Sequence, residues 1–287
     1  VFVAGQYNAE NIAEAANAYM DWQIRPGVAE GPIMGGGVSS HFKGAGLDIE
    51  VYQSYESLVE FAKHVESWIN TKEIKEHKSM GIFSHEAAAV DPKTNIIYLT
   101  EDDTNGLIYR YLPSGVLEAA CYGNNDKVKW KKIDPLIKPN KSQVEDGIKN
   151  NKWEGCVYHP EGFIYFVESR KGIYRYDIEE NTLKLFYESE SISTNSEKLN
   201  SPDNIAITPN GNLIVSEDPG YNEYLELWII NHKNKTSYPF LRVYNHNLSE
   251  LTGMAFSPDN KRLYFSSQRG KNGNGITYEV FGDFSKI

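Results

Sequence analysis

The sequence predicts a mainly β protein, a β-propeller with four visible blades and a small N-terminal α+β segment ahead of them. Three observations predict it. Four stretches repeat one pattern: HEAAAVDPKTNIIYLTEDD (85–103), WEGCVYHPEGFIYFVESR (153–170), PDNIAITPNGNLIVSEDP (202–219) and LTGMAFSPDNKRLYFSSQR (251–269). Each is a hydrophobic run, a Pro-led polar turn and a second hydrophobic run, the sequence signature of a propeller blade. The spacing is regular, with 49 residues from Glu154 to Asp203 and 49 again from Asp203 to Thr252. Finally, 13% of residues are aromatic, including 19 Tyr, which favours strands over helices.

Residues 1–80 differ in kind from the rest. VFVAG at the start reads as a strand, and residues 8–24 place Ile12, Ala15, Ala16, Tyr19 and Met20 at helical spacing behind Asn8 as N-cap. Two short strands follow around Lys43-Gly44-Ala45-Gly46. A second amphipathic helix then puts Leu58, Phe61, Ala62, Val65 and Ile69 on one stripe. The order βαββα describes a small α+β head, with helices covering one face of a short sheet. Gly35-Gly36-Gly37 reads as a turn, because no Gly-Lys-Ser/Thr follows to make a phosphate loop.

Residues 81–287 read as the propeller. The turns Pro-Lys-Thr-Asn, Pro-Glu-Gly, Pro-Asn-Gly and Pro-Asp-Asn separate the first two strands of each blade. Third strands are expected at 107–113, 172–179, 224–233 and 275–282, and fourth strands at 182–189 and 236–245. The interval from Glu86 to Glu154 is 68 residues, and its excess is a Lys/Asn-rich insertion at 122–152 that reads as a solvated loop.

Composition narrows the function classes. A net charge of −10 and a pI near 5.3 leave no basic face for nucleic acid, so divalent cations suit the chain better. No run of 18 apolar residues exists to cross a membrane as a helix. The chain starts at Val1 and so reads as a processed chain or a fragment, with any export signal already gone. Cys156 sits in an apolar strand as a small buried hydrophobe; a Cys121–Cys156 disulfide stays open, but a disulfide framework does not.

The repeats align chemistry as well as strands. Counted from Pro92, Pro160, Pro209 and Pro258, the residue six places earlier is Glu86, Glu154, Asp203 and Thr252. The second strands run into Glu101, Glu168, Glu217 and Ser267. Carboxylates recurring at one end of successive blades converge on an axis, where they repel one another unless a cation joins them. Glu86, Glu154 and Asp203 are therefore the leading metal ligands, with Asn204 adding an amide oxygen to a calcium-type cage. Glu101-Asp102-Asp103 divides evenly between ligands and an acidic loop, and Glu168 has Arg170 as a rival partner. Of the histidines, His85 is expected to point away from Glu86, as a support behind the ligands or a packing residue, and His159 is expected to be exposed beside its turn. Neither HExxH nor GxSxG occurs.

These ordered motifs (HEAAAVDP…YLTEDD, EGC before YFVES, SPDNIAITPNGNLIVSED, and ELTGMAFSPD…LYFSSQRG…GITYEV) resemble the PhoX-type alkaline phosphatases and related uncharacterised propellers over residues 81–287. The resemblance implies a six-bladed propeller, exported to the periplasm or exterior, with calcium and iron in an axial pocket that hydrolyses phosphate monoesters. Carried over by motif, it assigns calcium to Glu86, Glu101, Glu154, Asp203 and Glu217. Asn204, Asp102, Asp218 and Glu250 are near neighbours, and Arg269 of SQRG is the candidate phosphate contact, its rival role a rim ion pair. One departure matters. The family's iron-bridging cysteine stretch should precede HEAAAV, yet residues 1–80 contain no cysteine, so the resemblance supports calcium more directly than iron. Two functions stay open: a calcium-dependent hydrolase of phosphate esters or lactones, and a non-catalytic assembly protein with a calcium-stiffened propeller. In the second, the apolar N-terminal strand would join a neighbour's sheet edge in an oligomer or polymer.

Overall fold

The structure, a computed structural model, describes residues 77–137, 140–189, 198–218, 224–244, 249–269 and 275–287. The expected α+β head lies outside the described residues, apart from its last four positions. The chain divides into two compact units, one formed by His77–Leu251 with Lys286–Ile287 and the other containing Thr252–Ser285.

The first unit holds three antiparallel sheets of four or five strands, each with its strands in chain order, the up-and-down arrangement of propeller blades. The first blade consists of β1 (His85–Val90), β2 (Ile97–Glu101), β4 (Ile108–Tyr111), β5 (Leu117–Tyr122) and β6 (Val128–Lys132). A ribbon of β3 (Thr104–Gly106) and β7 (Asn150–Asn151) stands beside it. The second blade is β8 (Trp153–His159), β9 (Phe163–Glu168), β10 (Gly172–Asp177) and β11 (Thr182–Glu188). The third is β12 (Pro202–Ile207), β13 (Leu213–Glu217), β14 (Tyr224–Ile230) and β15 (Ser237–Tyr244). The second unit carries a fourth sheet, β16 (Leu251–Phe256), β17 (Arg262–Ser267) and β18 (Ile276–Phe281). The insertion at 122–152 is not all loop. It supplies the outer strand β6, whose Lys131 bonds Asp146 at 2.5 Å, because alternating Val128 and Trp130 give that segment an apolar face to bury.

The sequence pattern explains the turns. The residue before each turn proline accepts a hydrogen bond from the turn's own backbone, closing it. Lys93 N–H donates to Asp91 Oδ1 (3.0 Å), Glu161 N–H to His159 Nδ1 (3.2 Å), Asn212 N–H to Thr208 Oγ1 (3.0 Å) and Arg262 N–H to Ser257 Oγ (3.0 Å). His159 is thus not exposed, as its turn position suggested, but buried. Its Nε2 bonds Gly211 O of the next blade at 2.9 Å, tying two turns together.

Aromatic and aliphatic side chains hold the three blades face to face. Tyr98, Ile108 and Ala120 of the first pack against Trp153, Cys156, Phe166 and Tyr176 of the second. Tyr165, Val167 and Phe186 of the second pack against Ile205, Val215 and Trp228 of the third. Burying a side chain of this size is worth about 1.5–3 kcal/mol, so these seams set the blade spacing. The first strands β1, β8 and β12 consequently lie side by side. Both cysteines are free and buried, leaving the possible disulfide unformed.

Candidate metal centre

Each of these three first strands is interrupted at the same register by a β-bulge, and each bulge carries an acid. Pairing shifts between His85 and Ala88, between Trp153 and Cys156, and between Pro202 and Ile205. The residues inside are Glu86-Ala87, Glu154-Gly155 and Asp203-Asn204. A bulge sets two residues against one, breaks the up-down alternation and re-aims a side chain. Its extra N–H needs an acceptor, and strand 2 supplies one. Ala87 N–H donates to Thr100 Oγ1 (2.9 Å) and Asn204 N–H to Ser216 Oγ (3.2 Å). In the second blade the bulge residue is Gly155, where a Cβ would lie 2.9 Å from Asp203 O and 3.0 Å from Asn204 Cα. Glycine lets β8 press directly on the bulge of β12.

The result is convergence. One carboxylate oxygen each from Glu86, Glu154 and Asp203 lies within 4.8 Å of the others, and Asp203 forms a second such group with Asp218 and Glu250. Glu154 and Asp203 are buried, whereas Glu86 is exposed as a residue although its carboxyl is surrounded by protein atoms. That loss of water, then the charges of Asp102 and Glu250, push the Glu86 carboxyl up to about 7. Burial, Asp102 and Glu86 push Glu154 up to about 8. Asp203 is raised well above the usual carboxylate range by burial and by Glu250, Glu154 and Glu86. Folding therefore brings together acids that oppose one another's ionisation, and a divalent cation relieves that opposition. The donors are all hard oxygens, which suit a calcium-like ion. His85 Nε2 bonds Gly81 O at 3.2 Å, and Cys156 Sγ bonds Tyr98 O at 3.9 Å.

The second register of acids behaves differently. Glu101 is buried and accepts from Leu107 N–H (3.0 Å) and Tyr109 Oη–H (2.7 Å). Glu217, also buried, accepts from Asn200 N–H (2.9 Å) and Glu226 N–H (3.1 Å), while burial holds it near 8. Glu168 accepts from Arg170 N–H at 3.3 Å instead of pairing with that guanidinium. Among the described residues, neither Glu101 nor Glu217 joins either acid group. Asn204 sits in the bulge beside Asp203, and Asp102 faces Lys152 at 2.8 Å. Arg269 belongs to the other compact unit, where it is exposed and bonds the side chain of Gln268. Lys152 is the residue that sequence reasoning passed over. Its place immediately before Trp-Glu-Gly-Cys was the available signal.

The family model described as alkaline phosphatase PhoX matches residues 61–134 and 161–270. No curated protein matches the chain in sequence. Among solved structures, Pseudomonas fluorescens PhoX in complex with vanadate, a transition-state analogue, is similar at 14% identity and a TM-score of 0.59. The match covers 74% of this chain and 55% of that one. A gluconolactonase, XC5397 from Xanthomonas campestris, is similar at 13% identity and a TM-score of 0.46, over 70% of this chain and 59% of that one. The chain thus spans little more than half the length of these proteins, and the first likeness shows the β-propeller fold.

Proposed function

The chain belongs to the alkaline phosphatase PhoX family, and from that premise we propose that it is a calcium-binding propeller hydrolase of phosphate monoesters, acting outside the cytoplasm. The observation that carries the proposal is the meeting of Glu86, Glu154 and Asp203 from three successive blades. Asp203, common to both acid groups, would be a central ligand of the bound cation. Asn204 and the acids Asp102, Asp218 and Glu250 would complete the oxygen shell, and Glu101 and Glu217 would hold the strands behind it. Arg269, in the other compact unit, is the sequence's candidate for a phosphate contact through its forked guanidinium. A bound divalent cation supplies charge stabilisation for the phosphoryl group and a more acidic water. The chain's own part is to hold the carboxylates in place before anything binds, through bulges pinned by Thr100 and Ser216, so that little reorganisation remains.

The test pairs binding with turnover. Chelator-stripped protein should take up calcium and regain hydrolysis of a chromogenic phosphate monoester when calcium is restored. Uptake without turnover, with iron also supplied, would favour the second reading, a calcium-stiffened assembly protein. That reading draws on the lack of cysteine in residues 1–80 and on the buried state of both cysteines elsewhere. A lactone substrate is the remaining enzymatic alternative.

A further inference from the structure

We propose that Lys152 is a tethered counterion of the acid group, taking on part of the electrostatic role of a cation and thereby lowering the group's affinity for calcium. The inference rests on the proposed function above, since it concerns the same carboxylates.

Three observations place Lys152 in that role. Its ammonium lies 2.8 Å from Asp102 Oδ1 and its side chain is half-exposed, so the charge is open to solvent on one side and paired with the acid on the other. Among the charged groups felt most by Glu86 and Glu154, Lys152 is the one base, set against Asp102 and Glu250. Its backbone adopts φ +68°, a left-handed conformation uncommon for a residue with a Cβ. Two hydrogen bonds hold that conformation, from Lys152 N–H to Asp103 O (3.2 Å) and from Ser169 N–H to Lys152 O (3.4 Å). Such a strained position persists where the surroundings over-determine it. Here the constraint joins the acidic loop after β2 to the end of β9 and sets the lysine stem between them.

The physical consequence follows from Coulomb's law. A divalent cation entering the carboxylates must approach a fixed ammonium, which repels it, and must also compete for carboxylates the ammonium already partly neutralises. With its side chain half-exposed the ammonium is screened much as in water, where a unit charge about 6 Å from a divalent ion changes affinity roughly tenfold. A site weakened in this way loads where calcium is abundant, as in extracellular modules with Kd of about 0.1–1 mM, and stays empty at cytosolic levels.

The experiment is calorimetric titration of calcium into chelator-stripped full chain, comparing the unsubstituted protein with Lys152→Met and Lys152→Arg. Lys152→Met should bind calcium roughly tenfold more tightly at low salt. The gain should shrink at about 1 M salt, where the Debye length is about 3 Å. Lys152→Arg, which keeps the charge, should match the unsubstituted protein. Both substitutes have a Cβ, so neither relieves the strain at φ +68°. Melting curves give a second readout: metal-free Lys152→Met should melt lower at pH 8, and its rise with calcium should be larger. Equal or weaker binding by Lys152→Met overturns the inference while leaving the cation site standing. No calcium uptake by the unsubstituted protein removes the site and the inference together.

Discussion

Two sets of acids recur in these blades at nearly the same height, and they do opposite things. Glu86, Glu154 and Asp203 lie in bulges of the first strands with their carboxylates close to one another; Glu101, Glu168 and Glu217 end the second strands and accept N–H groups of their own blade. The first set concentrates charge between blades, whereas the second satisfies donors within a blade. Chemical identity does not separate them. What separates them is whether the carboxylates gather with other acids or are bonded by donors of their own blade.

Substitutions should divide along this line. The largest effect is expected for Glu154→Gln. Calcium at about a thousandfold excess over Kd should stabilise the unsubstituted protein by about 4 kcal/mol, and Glu154→Gln should lose most of that gain in calcium-dependent melting curves. A preserved gain would erase the distinction between the two sets. Glu217→Ala is expected to do the reverse. Leaving two buried N–H groups unpaired should cost about 3 kcal/mol in urea unfolding, with the calcium increment retained.

The same contrast appears in pH. In the folded, metal-free protein, Glu86 and Glu154 titrate near 7 and 8, above the ordinary value of 4.5. A raised carboxyl favours the folded state only while protonated. Its contribution is therefore complete below about 4.5 and lost as pH climbs through 7 to 8. Metal-free protein should melt lower at pH 9 than at pH 5.5, and saturating calcium should flatten or invert that slope. An equal slope with and without calcium would count against the acid group as the ion's site.

Smaller effects sharpen the comparison. Gly155→Ala should cost about 2 kcal/mol by overpacking, because its Cβ meets backbone of the adjoining bulge at 2.9 Å. It should also weaken calcium binding by pushing Glu154 away from Asp203. Thr100→Val removes the acceptor for Ala87 N–H while keeping the shape, and about 1 kcal/mol of stability should go with it. Urea titrations of both variants measure these losses.

Sequence alone determined the blade pattern, because strand period, turn prolines and apolar faces are local properties. The residue before each proline, Asp91, Thr208 or Ser257, is a turn former by its own chemistry, and Glu86, Glu154 and Asp203 align because the repeats do. Which acids converge was decided by tertiary structure. A bulge adds one residue to one strand, leaves no mark in hydrophobic alternation, and turns a side chain toward the neighbouring blade. Partners such as Leu107 N–H for Glu101, or Asn200 N–H for Glu217, likewise exist only once the strands are paired. His159 shows the same dependence, since Gly211 O of the next blade is what buries and bonds it. Local sequence carries a residue's chemistry, but the distance to a partner on another strand is set only when packing brings the strands together.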